Sequence, residues 1–295
     1  MKHFSIVKKA KVFFSISLIF LLVGVVSMLT RGLNLGIDFA GGSIIDVKFE
    51  NPVTVSEVRD VLSDHKLGSS IIQLGSMDGQ QTEESQSVLI RTGIISDDQR
   101  VETMTDMTNR LGPNEVLRVE NVGATVGRDL VKSAMGAVAL SWVLMIIYIT
   151  IRFEHNFAFA AIIALIIDVM VTLSWFSLLQ LEMDSSFVAA LLTVVGYSIN
   201  GTIVIFDRIR ENLHTHRRSE SLGDMVDNSI WQTMNRSIYT SATTLFAVIA
   251  IFLFGGETIR NFSFAMLVGF SSGFYTSTFL AGPLWIKLRS RGTHK

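Results

Sequence analysis

Six runs of apolar residues, each long enough to cross a bilayer, dominate the hydropathy pattern of this chain. The first, Val12–Thr30, is 19 residues without a charge. Five more follow at Ala134–Ile151, Phe157–Leu181, Ser186–Phe206, Ser237–Phe254 and Phe262–Ile286. At about 1.5 Å per residue each crosses the ~30 Å hydrocarbon layer as a helix. A cleaved signal peptide is the competing reading of the first run. Its apolar core would be shorter and a small-residue cleavage site would follow. Here Arg31-Gly-Leu-Asn-Leu-Gly follows instead, so an uncleaved helix is expected.

The polar residues 31–132 between the first and second spans carry a different periodicity. Ser43–Phe49 alternates as a strand does, and Ser69–Leu74, Gln86–Thr92 and Val116–Val122 read as further strands. Thr54-Val-Ser-Glu57 is a capping box that opens a helix to Asp64. Ser96-Asp-Asp-Gln99 opens another, to Leu111, which Gly112-Pro113 ends. The order βαββαβ predicts a ferredoxin-like split sandwich, with Gly75–Ser85 as a polar loop. The expected layout is therefore an amino-terminal segment 1–11, helix 12–30, a folded domain 31–132, five helices within 133–286 and a tail 287–295.

Charge adds orientation. The four lysines Lys2, Lys8, Lys9 and Lys11, then Arg152, Arg208, Arg210, Arg217, Arg218, Arg236 and the tail's Lys287, Arg289, Arg291 and Lys295 all fall on one side of the layout. The opposite loops carry Glu182, Asp184 and Glu257 with Arg260 as their base. Basic segments stay in the cytoplasm, so both termini are expected there and the polar domain outside. Composition agrees: 49% of the residues are hydrophobic and the net charge is −1. The near-neutral charge argues against a nucleic-acid binder. With no cysteine, thiolate catalysis and cysteine metal sites are excluded.

Candidate chemistry lies inside the spans. Asp168 is the acidic side chain at the middle of the third span. An isolated buried carboxylate is costly, and an intramembrane one reads as an ion or proton relay. The alternative is a structural hydrogen bond to neighbouring Ser or Thr hydroxyls. Asn200, mid-way along the fourth span, must face a partner helix or a watered path. Arg236 stands at the start of the fifth span, with Thr240, Thr243 and Thr244 continuing its face as a possible polar path. An arginine snorkelling to the headgroups is the alternative. Gly269, Ser272, Gly273 and Thr276 form a small-residue face on the sixth span, suited to close helix packing. The charged run Asp207–Glu211 ends the fourth span, where bases suit a helix C-terminus.

Other motifs yield less. No GxxxxGK[ST] run is present. Gly36-Ile-Asp-Phe-Ala-Gly-Gly42 follows a membrane helix and precedes a strand, so it reads as a tight turn and not as a phosphate loop. His214 and His216 sit beside Arg217 and Arg218 and read as a solvated basic surface, not metal ligands.

These features together resemble the SecF family, one of the two subunit families of the bacterial SecDF protein-export complex, within the RND-type superfamily. The resemblance rests on the 1+5 layout, the βαββαβ domain, and Leu35-Gly-Ile-Asp-Phe-Ala-Gly-Gly42. It rests further on Val122-Gly-Ala-Thr-Val-Gly-Arg-Asp-Leu130, on Gly196–Asn212 and on Asn235-Arg-Ser-Ile-Tyr-Thr-Ser241. It implies no cofactor, no enzymatic activity and a SecD partner supplying six similar helices. It also implies work beside SecA and the SecYEG channel, with YajC and YidC as further neighbours. The proton or sodium gradient would help to pull an unfolded polypeptide outward. Its ion relay would map onto Asp168, Asn200, position 201 and Arg236.

Two departures stand out. Where the family's fourth helix reads Ser-Ile-Asn-Asp, this chain has Ser198-Ile-Asn-Gly201. Glycine cannot bind a proton or balance Arg236, so coupling is expected to be weakened, with Asp168, Asn200 and Arg236 as the surviving site. Where the third helix reads His-Asp, this chain has Ile167-Asp168. Two other functions remain open at this point: a structural or assembly subunit whose partner handles the ions, and an RND-like exporter of lipids or small molecules.

Overall fold

The computed structural model describes residues 4–75, 84–215 and 221–292. The chain divides into two compact units, Met1–Asn34 with Gly136–Lys295, and Leu35–Met135. In chain order the elements are α1 (Ala10–Thr30), α2 (Ile37–Ala40), β1 (Gly42–Thr54), α3 (Val55–Asp64), β2 (Ile71–Gly75), β3 (Glu84–Thr92), α4 (Asp97–Leu111) and β4 (Asn114–Val122). Then come α5 (Ala124–Arg152), α6 (His155–Leu179), α7 (Ser185–Thr215), α8 (Leu222–Phe254) and α9 (Arg260–Tyr275). A π-helical segment, Thr276–Ala281, joins α9 to α10 (Gly282–Gly292). Among the described residues six helical stretches are long and apolar enough to span a membrane, the sixth being Arg260–Ser290.

The sheet unit follows the expected order. Its strands lie in the order β2-β3-β1-β4, every neighbour antiparallel. This is the ferredoxin-like arrangement, in which β1 and β2 are parallel but split by β3. Alternate residues Ile45, Val47 and Phe49 of β1 and Val88 and Ile90 of β3 face Val58, Val61 and Leu62 of α3 and Met104 and Met107 of α4. Both helices therefore cover one face of the sheet. The Thr54–Glu57 capping box closes in both directions, and the hydrogen bond from the Thr54 N–H holds the Glu57 carboxyl below its usual range. At Ser96 only half of the second box forms: its hydroxyl accepts from the Gln99 N–H, while the Gln99 side chain donates to the His65 carbonyl. On the face away from the helices, burial raises Asp46 and Arg118 partly offsets this.

The glycine-rich turn has a steric cause. α2 is one helical turn, and the chain leaves it through Gly41 at φ 77° and Gly42 at φ 142°, which side chains disfavour. A Cβ on Gly42 would lie 2.6 Å from the Thr92 carbonyl oxygen. Gly127 of α5 approaches the same turn, its Cβ position 3.1 Å from the Phe39 carbonyl oxygen. The two glycine motifs, far apart in sequence, thus meet. The expected loop Gly75–Ser85 is shorter than predicted: Gly75 pairs with Ser87, Glu84 with Thr54 and Ser85 with Val53, and residues 76–83 lie outside the described residues.

In the helical unit α6 is the central element. α1 packs along it through small residues: the Cβ position of Gly24 falls 1.8 Å from Ser174 Oγ, and Ser27 and Ser177 share a 2.8 Å hydrogen bond. The amino-terminal end of α1 is held from a distance in sequence. Buried Asp227 of α8 accepts from the N–H groups of Ile6 (3.0 Å) and Val7 (2.9 Å) and from the Ser5 hydroxyl. Trp231 Nε1 donates to the Phe4 carbonyl at 2.9 Å. Ile6 is fully buried in the main apolar cluster, where Phe157 stacks on Trp285.

Several boundaries differ from the apolar pattern. α8 begins at Leu222, well before the expected fifth span, because Met225, Val226, Ile230 and Met234 give its polar first half a buried face. α7 runs on through Asp207–Glu211 to Thr215, so His214 lies on a helix, not in a loop; His216 lies outside the described residues. The charged run ties helices together. Asp207 pairs with Arg152 of α5 at 3.1 Å, and Asn212 donates to Ser229 and Gln232 of α8.

Candidate functional site

Asp168 is fully buried in the middle of α6. Three hydroxyls from other elements converge on its carboxyl group. Ser198 of α7 donates to Oδ2, Ser272 of α9 donates to Oδ1 at 2.6 Å, and Thr276 reaches Oδ1 at 2.9 Å and Oδ2 at 3.0 Å. Among the described residues no cation pairs with it. Its partners are hydroxyls of α7, α9 and the π segment. Each hydroxyl can donate to a carboxylate or, after rotation, accept from a carboxylic acid. The same three groups therefore suit both protonation states.

The last of these hydroxyls sits where the helix changes register. Pro283 has no N–H for the Phe279 carbonyl, four residues back, and its ring crowds that group. The backbone takes the wider π turn over Thr276–Ala281 immediately before it. Thr276 faces Asp168, Ser277 lies against Gly201, and Thr278 Oγ1 is buried with no partner among the described residues. Two neighbouring hydroxyls thus face two different polar sites.

The second site is a cavity of about 60 Å³ whose walls include Asn200, Gly201, Arg236, Thr240, Gly273 and Ser277. Asn200, Gly201 and Arg236 come together here as a group. Asp168 does not join them, and no ion pair links it to Arg236. Of the three residues expected to form the surviving site, Asn200 and Arg236 share the cavity, while the Asp168 carboxyl is bonded to the Ser198, Ser272 and Thr276 hydroxyls. Arg236 is also not at a helix start but well inside α8. It is exposed, as is Asn200, and neither has a hydrogen bond among the described residues.

The remaining predicted residues separate by role. Thr240 lines the cavity, but Thr243 and Thr244 donate to the carbonyls of their own helix at 2.9 Å, so they need no outside partner. Gly269 and Gly273 bring α9 against α7: Cβ positions there would lie 2.2 Å from Val194 Cγ2 and 3.0 Å from Ser198 Cβ. Ser272, on the same face, serves Asp168 instead of the packing. Sequence reasoning had Ser198, Ser272 and Thr276 in view but not as partners of Asp168. The i, i+4 spacing of Ser272 and Thr276 was the available signal. Among the described residues no cluster of His, Cys, Asp and Glu could hold a metal.

A single span-length helix, a ferredoxin-like unit and five further span-length stretches define a polytopic membrane protein with a split αβ domain. The profile of the SecD/SecF C-terminal region matches residues 102–291, and that of the SecD/SecF GG motif matches residues 26–53, which include Gly41 and Gly42. The chain belongs to the SecF family of protein translocase subunits. It is 77% identical to the SecF subunit of Acidaminococcus fermentans over 99% of both chains. It is 38% identical to that of Vibrio alginolyticus over 99% of this chain and 92% of the other. The crystal structure of SecDF from Thermus thermophilus, a translocon-associated membrane protein, superposes with a TM-score of 0.88 at 31% identity. The match covers 98% of this chain but 39% of that one.

Proposed function

We propose that the protein works with a SecD-type partner to couple an ion gradient to the late, outward movement of polypeptides leaving the SecYEG channel. YajC and YidC are its further candidate neighbours. Both termini lie in the cytoplasm and the sheet unit lies outside. The observation that carries the reading is the hydroxyl-lined, fully buried carboxyl of Asp168 in the middle of a spanning helix. A carboxyl that can gain and lose a proton without rearranging its neighbours is suited to carry one. Each charge crossing 100 mV releases about 2.3 kcal/mol. Protonation there changes the charge shared by α6, α7 and the π segment, which gives a local event that can move helices. Position 201 carries no carboxyl, so coupling in this chain falls to Asp168.

The test is Asp168→Asn, which can satisfy the same three hydroxyls but carries no proton at neutral pH. Export of a Sec-dependent precursor is measured in vesicles with and without an ionophore, protons and sodium being dissipated separately. The variant is expected to export at the ionophore-treated rate under all conditions. Full gradient stimulation in Asp168→Asn would remove the carrier role. That outcome would favour a structural or assembly subunit, a reading supported by the fact that both carboxyl oxygens already have partners in the chain.

A further inference from the structure

We propose that the two glycine motifs, Gly36–Gly42 and Val122–Leu130, form a rigid joint that makes the sheet unit and the first turns of α5 one body. The sheet unit then follows α5, and the link Leu35–Gly36 lets it turn relative to α1. The inference does not depend on the export role or on Asp168.

The joint holds α5 at two points. Val122, the last residue of β4, pairs with Gly42 in the sheet, and α5 starts at Ala124, so Gly123 alone separates the ladder from the helix. One turn on, Gly127 is buried against the glycine-rich turn. A Cβ there would lie 3.1 Å from the Phe39 carbonyl oxygen, 3.2 Å from that of Asp38 and 3.4 Å from the Gly41 nitrogen. These are backbone atoms, which cannot rotate away as a side chain can. A helix joined only through one residue can swivel; one seated again a turn later cannot.

α5 runs without a break to Arg152. Among its residues of described exposure only Gly127 and Ile149 are buried. They stand about 33 Å apart along a helix rising ~1.5 Å per residue. At the carboxyl-terminal end Arg152 pairs with Asp207 at 3.1 Å, and Arg210 donates to the Arg152 carbonyl at 3.2 Å. α5 is thus a strut fastened at its ends. α1 ends differently, tied to the end of α6. Ser177 donates to the Gly32 carbonyl, Asn34 Nδ2 to the Gln180 carbonyl and the Met183 N–H to the Asn34 carbonyl, each at 2.9 Å. Leu35 and Gly36 alone separate Asn34 from α2. Their dihedrals can absorb a rotation that the glycine joint resists.

The chain has no cysteine, so spin labels can be placed on introduced cysteines without background. Two pairs are measured by pulsed electron paramagnetic resonance in the full-length chain, co-purified with a cysteine-free partner in lipid nanodiscs. One joins the sheet unit to α5, Glu102→Cys with Val131→Cys. The other joins it to α1, Glu102→Cys with Leu29→Cys. All three positions are exposed. The distance distribution of the first pair is expected to be about half as wide as that of the second. Gly127→Val drives a branched side chain into the Phe39 and Asp38 carbonyls. It is expected to widen the first pair to match the second, while the amides of β1 and β3 stay protected from hydrogen exchange. Equal widths in the two wild-type pairs, both narrow or both broad, would overturn the proposal. So would a first pair unchanged by Gly127→Val. Should that variant lose the protection of its sheet, the wild-type pairs decide alone.

Discussion

Replacing Gly24 with alanine tests how α1 is held to the bundle. The new Cβ would lie 1.8 Å from Ser174 Oγ, 2.3 Å from Ser174 Cβ and 3.2 Å from Ser174 Cα. Rotating the hydroxyl relieves only the first contact. Carbon atoms settle at about 3.5–4.0 Å, so α1 and α6 must part locally by roughly 1 Å or more. The Ser27–Ser177 hydrogen bond of 2.8 Å, about one turn away, would then stretch beyond bonding range. Overpacking costs about 1–3 kcal/mol and the lost bond about 1 kcal/mol, giving a loss of roughly 2–4 kcal/mol. Between membrane helices no hydrophobic gain offsets this, since close packing itself is the source of attraction. The assay is the fraction of full-length protein that elutes monodisperse after heating in detergent, where the midpoint is expected to fall by roughly 5 °C or more. Ser174→Gly removes both offending atoms, so the double variant should recover much of the loss despite the cost of a helical glycine. An unchanged midpoint in Gly24→Ala, or a double variant no better than the single one, would refute the steric account.

Two further outcomes follow from other parts of the molecule. Asp227→Ala removes the acceptor for the Ile6 and Val7 N–H groups. Losing these charge-assisted bonds costs about 3 kcal/mol, and hydrogen exchange of those two amides should accelerate on the order of a hundredfold, while the amides of α3 stay as protected as before. Asp46→Asn removes a carboxyl whose folded-state value burial has raised above its ordinary 3.8. The sign is fixed: a raised carboxyl favours the fold below 3.8, and that benefit is lost as pH rises through the folded value. The asparagine variant should therefore be the more stable at pH 7, by less than about 1 kcal/mol because the group is largely solvated. The difference should vanish below pH 3.8 in an unfolding titration of the sheet unit.

Where burial imposed one periodicity, the elements could be read directly. The alternation of Ile45, Val47 and Phe49 and the two capping residues Thr54 and Ser96 placed β1, α3 and α4 correctly. The apolar runs located all six spans. The pattern failed where a helix leaves the hydrocarbon but continues. The first half of α8 is polar on one side, so a search for apolar runs began it at residue 237 and put Arg236 at its edge. The candidate site was legible as a set of polar residues but not as a geometry. Asp168 and Arg236 attract as charges in a list. Which of them meet depends on the rotation of α6, α7 and α9, and glycines 269 and 273 set part of that rotation through contacts invisible in one dimension. Hydroxyls were discounted as packing because serine and threonine serve both purposes. The Asp227 contact went unread because its partners are backbone N–H groups, which carry no sequence signature.

That contact bears on how the molecule is made. Phe4–Val7 leave the ribosome well before α8, and the acceptor for Ile6 arrives 221 residues later. Through most of synthesis the amides of Ile6 and Val7 have only water to bond, and the Ile6 side chain has no core to enter. Closure waits until α8 has been inserted and its first half has folded against the bundle. Residues translated long before their acceptor are thus among the last to become ordered, and protection of these two amides reports that insertion of α8 is complete.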